Sequence, residues 1–352
     1  MKCSLVKVVW GFLMVAGLCM SAYAETDTDN DGIPDTLEEQ LGYNPAVPTR
    51  IVYVDAGRPN DSGDGLSEAT AKRSIKAGVN AAKVANYENV VLIKPGTYTG
   101  ADNSAIEFGS YNIKLRSTDG AAVTRVEIPS AARFLTIQNT PNVNDSWCEG
   151  FTVTNNNLGT SNGLIYISSA GITIRNNKFI DSVYMSGGGA IYAASATSVK
   201  IENCDFNNIR LNTSYPGGGM GGGAIYFGGG SYTVKNCNFS NNSGYNGGVF
   251  YLQGTMSSTP VAANVTMELC RFTDNLATYS GGVGYVSSYG TLVMRNCLAY
   301  NNLSAQSGSF LYSGTSQNNV TIDHCTMFNN VAATGNDINV GNQFAMSNSV
   351  FL

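Results

Sequence analysis

The phrase VKNCNFSNN, at Val234 to Asn242, is written repeatedly along this chain. KIENCDFNN stands at Lys200 to Asn208, MELCRFTDN at Met267 to Asn275, VMRNCLAYNN at Val293 to Asn302 and TIDHCTMFNN at Thr321 to Asn330. From Cys204 the cysteines step by 33, 33, 27 and 28 residues, with Asn177 in the cysteine position one step before and Ser349 one step after. A second phrase runs in phase: GLIY from Gly163, GAIY from Gly189 and Gly223, GVFY from Gly248 and GVGY from Gly282. A fixed period of this size marks a repeat architecture. Each period holds about three short strands separated by Gly, Ser and Asn clusters that supply turns. No helical periodicity intervenes. The expected fold is all-β, a parallel β-helix (solenoid) whose coils stack about 4.8 Å apart.

Stacking turns equivalent positions into columns. Phe151, Phe179, Phe206, Phe239, Phe272 and Phe351 fall in one expected core column, with Ala299 and Met327 filling its gaps. Ile174, Ile201, Val234, Met267, Met294 and Ile322 form another. Of eight cysteines, six lie beyond the first 24 residues, and those from Cys204 onward form a third interior column. An in-register ladder points neighbouring thiols the same way, which suits disulfide bridging poorly. Just before each cysteine position come Asn176, Asn203, Asn236, Leu269, Asn296, His324 and Asn348. Asn tolerates the left-handed backbone of a sharp bend, and its amide can bond coil to coil, so an Asn ladder is expected there. The only histidine fills one of its slots and reads as structural. One residue earlier, Arg175, Glu202, Lys235, Glu268, Arg295 and Asp323 alternate in sign. On an outward face they would hold register, because a coil slipped by one sets like charges together.

The start of the chain reads differently. Lys2 and Lys7, an apolar run from Val8 to Leu18 and Ala22-Tyr23-Ala24 follow the grammar of a secretory signal peptide over residues 1–24. The run is too short to span a membrane comfortably, so no transmembrane segment is expected in the mature chain, and the protein is expected to be secreted or on the cell surface. Only 13% of residues are charged and the net charge is −5. With no basic patch, nucleic acid is excluded as an expected partner.

The N-C-x-F-x-N-N phrase, the Asn column and GGAIY resemble the right-handed parallel β-helix of the pectate-lyase-like superfamily. Together they also resemble the short repeats of bacterial polymorphic outer-membrane proteins, which are adhesin-like. IVYVDAGRPNDSGDGLSEATAKRSIKAGVNAA, from Ile51, is similar to the entry of secreted bacterial β-helix proteins, where a strand and an acidic turn lead to a short helix. Ile75, Val79 and Ala82 lie on one face of that helix, which is expected to cap the solenoid. VVLIKPGTYTG, from Val90, is expected to be the first coil. The resemblance covers residues 51–352 and implies fold more than activity, since one fold hosts many functions.

Enzymes of this kind lay substrate along the first strand of each coil and use Ca²⁺-binding acids with a Lys or Arg base, or clustered Asp pairs. Here that strand is the Tyr-ended phrase. Its expected inward column is Ile165, Ile191, Ile225, Phe250, Gly284 and Phe310. The expected outward columns are Leu164, Ala190, Ala224, Val249 and Val283, then Tyr166, Tyr192, Tyr226, Tyr251 and Tyr285. None is an acid or a base. From Phe151 onward there are seven acids and seven bases, and six of these belong to the alternating stripe. A catalytic pair or metal-plus-base site would have to draw on Asp55, Asp61, Asp64 and Lys94 in the early coils, although turn chemistry accounts for those acids. Catalytic residues are therefore unassigned. The tyrosines are the better signal: an aromatic strip on which sugars could pack their apolar faces, with phenol tips for their hydroxyls.

DTDNDGIPDTLEE, at Asp27 to Glu39, supplies the sharpest chemistry. The spacing places Asp27, Asp29 and Asp31 at loop positions one, three and five, with Gly32 at the turn. Ile33 offers a carbonyl, Asp35 stands at position nine and Glu38 at the final bidentate position. An all-oxygen set suits Ca²⁺. The motif, followed by LGYNP, resembles the calcium repeats of thrombospondin type 3. One copy is present, and Pro34 argues against an EF-hand pair.

The organisation expected is thus a signal peptide over 1–24, a calcium-binding acidic loop and linker over 25–49, and a right-handed parallel β-helix over 50–352. Because the chain stops inside the phrase MSNSVFL, the helix is expected to be truncated and the native protein longer. The expected function is non-catalytic, adhesin-like binding of extracellular polysaccharide or a cell-surface glycan. The alternative is a polysaccharide lyase or glycoside hydrolase acting on acidic glycan.

Overall fold

The computed structural model describes residues 26–129, 132–138, 145–155, 163–185, 187–212, 221–255, 260–315, 317–341 and 343–352. The expected signal peptide lies outside them. The chain divides into two compact units, one ending at Pro48 and one spanning Thr49–Leu352. In the first, the acidic loop runs into helix α1 (Asp35–Leu41), which closes on a left-handed Gly42 with φ of 76°.

The second unit is a parallel β-helix. Among the described residues its strands pair into a 17-stranded and a 14-stranded sheet. The stack begins one strand earlier than Val90, because Thr49–Val54 already pairs in parallel with Glu88–Ile93. Helix α2 (Ile75–Ala82) follows, N-capped by Ser74, and buries Ile75, Val79 and Ala82 as its spacing requires. In the later coils the backbone turns on residues in the left-handed region. Asn176, Asn203, Asn236, Leu269, Asn296, His324 and Asn348 all have φ between 47° and 55°. A second such column, Asp181, Asn208, Asn241, Asp274, Asn301 and Asn329, has φ between 49° and 59°. Asn and Asp dominate both because their short polar side chains accept this conformation.

The interior columns are largely as expected. Ile174, Ile201, Val234, Met267, Met294 and Ile322 are in register and buried. Phe179, Phe206, Phe239 and Phe272 stack at centroid distances of 5.1, 4.7 and 5.2 Å. Phe151 is not in that column; Val153 pairs with Phe179 instead. Gly150, at φ 82°, takes the bend opposite Asn176, so Phe151 falls opposite Asn177 in the cysteine column, two residues before the Phe column, and its N–H meets Asn177 Oδ1 at 2.8 Å. Likewise Cys148 pairs with Ile174, outside the cysteine column.

Cys204, Cys237, Cys270, Cys297 and Cys325 are buried and unbridged. Each thiol lies 3.2–3.3 Å from the carbonyl two residues before it. The hydrogen-bonded amide ladder lies chiefly in a different column from the one expected. Asn242, Asn275 and Asn302 are buried, and their amides bond upward through Asn330 at 2.8–3.0 Å. In the bend column, Asn236 reaches Asn203 at 2.7 Å, while Asn176 bonds Glu149.

Two further expectations need correction. Leu164, Ala190, Ala224, Val249 and Val283 are not outward but buried, at most 3% exposed. They precede the strand at the coil corner, where two successive side chains both point inward. The column Ile165, Ile191, Ile225, Phe250 and Gly284 continues to Leu311, not Phe310. Gly284 leaves room that Phe250 fills: a Cβ there would lie 2.0 Å from the ring.

Candidate functional site

Three sets of side chains are candidates. The first is the acidic loop. Gly32 N–H bonds Asp27 Oδ2 at 3.0 Å, Asp31 N–H bonds Asp29 Oδ1 at 3.1 Å, and Ile33 N–H bonds Asp31 Oδ1 at 2.7 Å. These bonds wrap the loop so that oxygens of Asp27, Asp29 and Asp31 all lie within 4.8 Å of one another. Asp27 Oδ1 and Asp29 Oδ2 are shielded from solvent with no hydrogen-bond partner among the described residues. Desolvation, with the neighbouring Asp31, Asp27 and Asp35 carboxylates, raises the Asp29 pKa against the opposing Asp31 N–H. Clustered, shielded carboxylate oxygens are the donor set a hard dication takes. Asp27, Asp29 and Asp31 therefore fit Ca²⁺, whose charge would relieve their repulsion.

Asp35 does not join that cluster. Its two oxygens accept hydrogen bonds from the Thr28 N–H and hydroxyl, both at 2.7 Å, which lower its pKa. It ties the loop to the start of α1. Glu38 is buried in the same helix and also stands outside the three-carboxylate group.

The second set is the tyrosine row. Tyr166, Tyr192, Tyr226, Tyr251 and Tyr285 are in register, and the row continues to Tyr312. Successive centroids are 5.9, 4.4, 5.7, 5.3 and 4.9 Å apart, with interplanar angles of 6–25°. The rings therefore face one another along the coil axis. Their faces are used by the stack, and the expected aromatic strip for sugar faces is not what the protein presents. It presents ring edges and phenol tips. At one end, the Arg133 guanidinium covers Tyr166 at 4.5 Å. Tyr251 is only 1% exposed, which splits the row into Tyr166–Tyr192–Tyr226 and Tyr285–Tyr312, all half-buried. Tyr226 O–H lies 3.1 Å from Gln253 Oε1. Burial raises the pKa of Tyr192, Tyr226 and Tyr285, the last to about 12, so these phenols stay neutral.

The third set comprises acids and bases of the early coils. Asp61 accepts from the Arg73 and Ser74 N–H groups and the Ser74 hydroxyl, at 2.7–2.9 Å, bracing the start of α2. It lines a polar cavity of about 360 Å³ with Arg73 and Asp102. Asp64 accepts from Leu66 N–H and the Thr70 hydroxyl. Asp55 turns the chain at Gly57. Lys94 pairs with Glu68 at 2.7 Å and Asp55 at 3.7 Å; the Glu68 bond raises its pKa, so it is a poor base. These four residues do structural work at turns and in an ion pair.

A fourth cluster escaped sequence reasoning. Lys114 is buried on the outer side of its strand, paired with Glu88 and with Asp145 at 3.5 Å. Its ammonium lies 4.6 Å and the Arg175 guanidinium 4.1 Å from the Trp147 ring. Burial lowers the Lys114 pKa to about 8 against the pull of Asp145. The alternation in IKLRS marks Lys114 as outward, but its cover comes from residues distant in sequence.

A family model for the right-handed β-helix region matches residues 89–261 and 142–351. The chain belongs to the right-handed β-helix family. The resemblance carried by the repeated phrases is thus borne out for the fold. Among curated proteins, this β-helix chain is 26% identical over 192 residues to metabotropic glutamate receptor-like protein R of Dictyostelium discoideum. That alignment covers 54% of this chain and 11% of the relative, so the chain spans about a tenth of that protein's length. Among solved structures it is similar to rice weevil pectin methyl esterase, at 12% identity over 84% of this chain and 92% of that one, with a TM-score of 0.33. Likeness at that level does not bear on substrate.

Proposed function

We propose that this β-helix is an exported, calcium-binding protein that holds extracellular polysaccharide or a cell-surface glycan without cleaving it. The half-exposed tyrosine row carries the reading. It offers neutral phenol groups at one-coil spacing, with Arg133 as the charged group at its end. A sugar chain lying along the helix axis would meet one phenol per coil and exchange hydrogen bonds with it, the wet mode of contact suited to a polar ligand. The covered Tyr251 divides the row into two short subsites. The structural duties of Asp55, Asp61, Asp64 and Lys94 favour binding over catalysis. The acidic loop supports a calcium-stiffened segment ahead of the helix, and the leader-like start supports export.

The test incubates the purified chain with neutral and acidic polysaccharides, with Ca²⁺ or a chelator, scoring both retention and new chain ends. Retention without new ends is expected, weakened by Tyr192→Phe with Tyr226→Phe, which keeps the stack and removes the hydroxyls. New reducing or unsaturated ends would overturn the reading in favour of a hydrolase or lyase.

A further inference from the structure

The charge stripe runs in register through one column, Arg116, Glu149, Arg175, Glu202, Lys235, Glu268, Arg295 and Asp323, and its last six rungs, from Arg175, belong to the later coils. Pairing within the chain does not use it up. Lys235 meets Glu268 at 3.5 Å, and Arg175 turns back to Glu149 at 2.9 Å. Asp323 contacts His324 at 3.0 Å. Among the described residues, Glu202 and Arg295 form no ion pair. The neighbouring outward column is mostly hydroxyl-bearing, with Thr233, Thr266 and Thr321 among its members. Lys200, exposed, and Val293 fill its remaining places, with Lys200 on the same strand as Glu202.

A strictly alternating ladder has a symmetry property. If two copies meet on this face with helix axes parallel, each coil faces its own equivalent and like charges meet. If the axes are antiparallel, about a two-fold axis lying between the coils of Lys235 and Glu268, each of the six charges from Arg175 to Asp323 meets its opposite, while Glu149 meets Ser347 and Arg116 lies beyond the overlap. Lys235 then faces Glu268 of the second copy, Arg175 faces its Asp323, and Glu202 faces its Arg295. The two charges left unpaired within the chain become partners between chains. Such self-complementarity defines an isologous interface. Six coils give it a length of about 24 Å at the strand spacing of a sheet. Exposed ion pairs are individually weak and screened by salt, so the association belongs to the weak, reversible class.

We propose that this face forms an antiparallel, two-fold symmetric dimer of β-helices, with a second copy of the chain as its occupant. Sedimentation equilibrium of the full chain tests it. The wild type is expected to dimerise at low ionic strength and to dissociate in high salt. Glu202→Lys and Arg295→Glu are each expected to be monomeric and folded, since neither residue has an ion pair to lose within the chain. Mixing the two variants, or placing both changes in one chain, restores opposite charges across the interface and is expected to restore the dimer. A wild type that stays monomeric at every concentration in low salt would overturn the proposal. So would single variants that still dimerise, or a mixture and a double variant that both remain monomeric.

Discussion

Asn275 Nδ2 donates to Asn302 Oδ1 at 2.9 Å while also lying 3.1 Å from the Phe239 carbonyl one coil away. Both asparagines are fully buried. The Asn302 oxygen also accepts the Asn275 backbone N–H at 3.1 Å. One side chain thus satisfies groups on neighbouring coils at a point where the chain has left the sheet.

Asn275→Ala should therefore strand buried polar groups above and below it. Each costs about 1–3 kcal/mol when its partner is lost. The expected result is a drop in unfolding free energy of about that size, read from a urea transition. Asn241→Ala, in the adjacent exposed bend, loses no buried amide but leaves alanine at φ of 55°, so its loss should be confined to the roughly 1–2 kcal/mol of that backbone conformation.

Leu269 offers the opposite case. It holds φ of 55° in a column otherwise filled by Asn and His, and its side chain is half exposed. A left-handed conformation costs an ordinary L-residue roughly 1–2 kcal/mol. Leu269→Asn should recover part of this and raise the urea midpoint at unchanged slope. A fall in the midpoint would mean that the leucine's contacts outweigh the backbone strain.

These two sites also mark how far the sequence can be read. The coil period, the left-handed column from Asn176 to Asn348, the Ile and Met stack, the Phe stack from Phe179 to Phe272 and the buried face of the short helix follow from local patterns and match the structure, whereas the second left-handed column and the exposure of Phe351 at the last coil do not follow from them. Errors entered where a bend displaced the register. In GSFLY, Ser309 replaces the glycine that opens the phrase elsewhere. Reading from Gly308 puts Phe310 in the core column and hides Tyr312, whereas the strand register sets Leu311 and Tyr312 there. Phe151 was misplaced the same way by Gly150. Ring orientation is a tertiary property: residue type places tyrosines in a column, but stacking decides whether faces or edges meet solvent. The Asp27, Asp29 and Asp31 grouping was legible because loop spacing alone creates it. The capture of Asp35 by Thr28 was not, since Thr28 competes for the same oxygens.

Calcium should act on the acidic loop through three carboxylates more than through Asp35. Asp29→Asn is expected to weaken Ca²⁺ binding at least tenfold by calorimetry, and Asp35→Asn less. Because neighbouring charge and desolvation raise the Asp29 pKa, protons compete with the cation at higher pH than for an isolated aspartate. Affinity should fall as pH is lowered toward the carboxylate range. Equal losses from both substitutions would return Asp35 to the ligand set.

The thiol column gives the last expectation, in alkali. Cys270 and Cys297 are raised from 9.0 to about 12, chiefly by hydrogen bonds with the cysteines of the coils below and also by burial. The unfolded chain ionises these thiols near 9 and the folded chain does not. Their contribution to stability is therefore complete below pH 9 and falls as pH rises toward 12. Thiol titration with a disulfide reagent at pH 8 should find these cysteines unreactive in the native protein and reactive after denaturation. Thermal midpoints should decline between pH 9 and pH 11, and the decline should shrink when Cys270 and Cys297 are replaced by alanine, after allowing for the lower starting stability. Rapid reaction of the native protein at pH 8 would show that the coils open locally on the timescale of the assay.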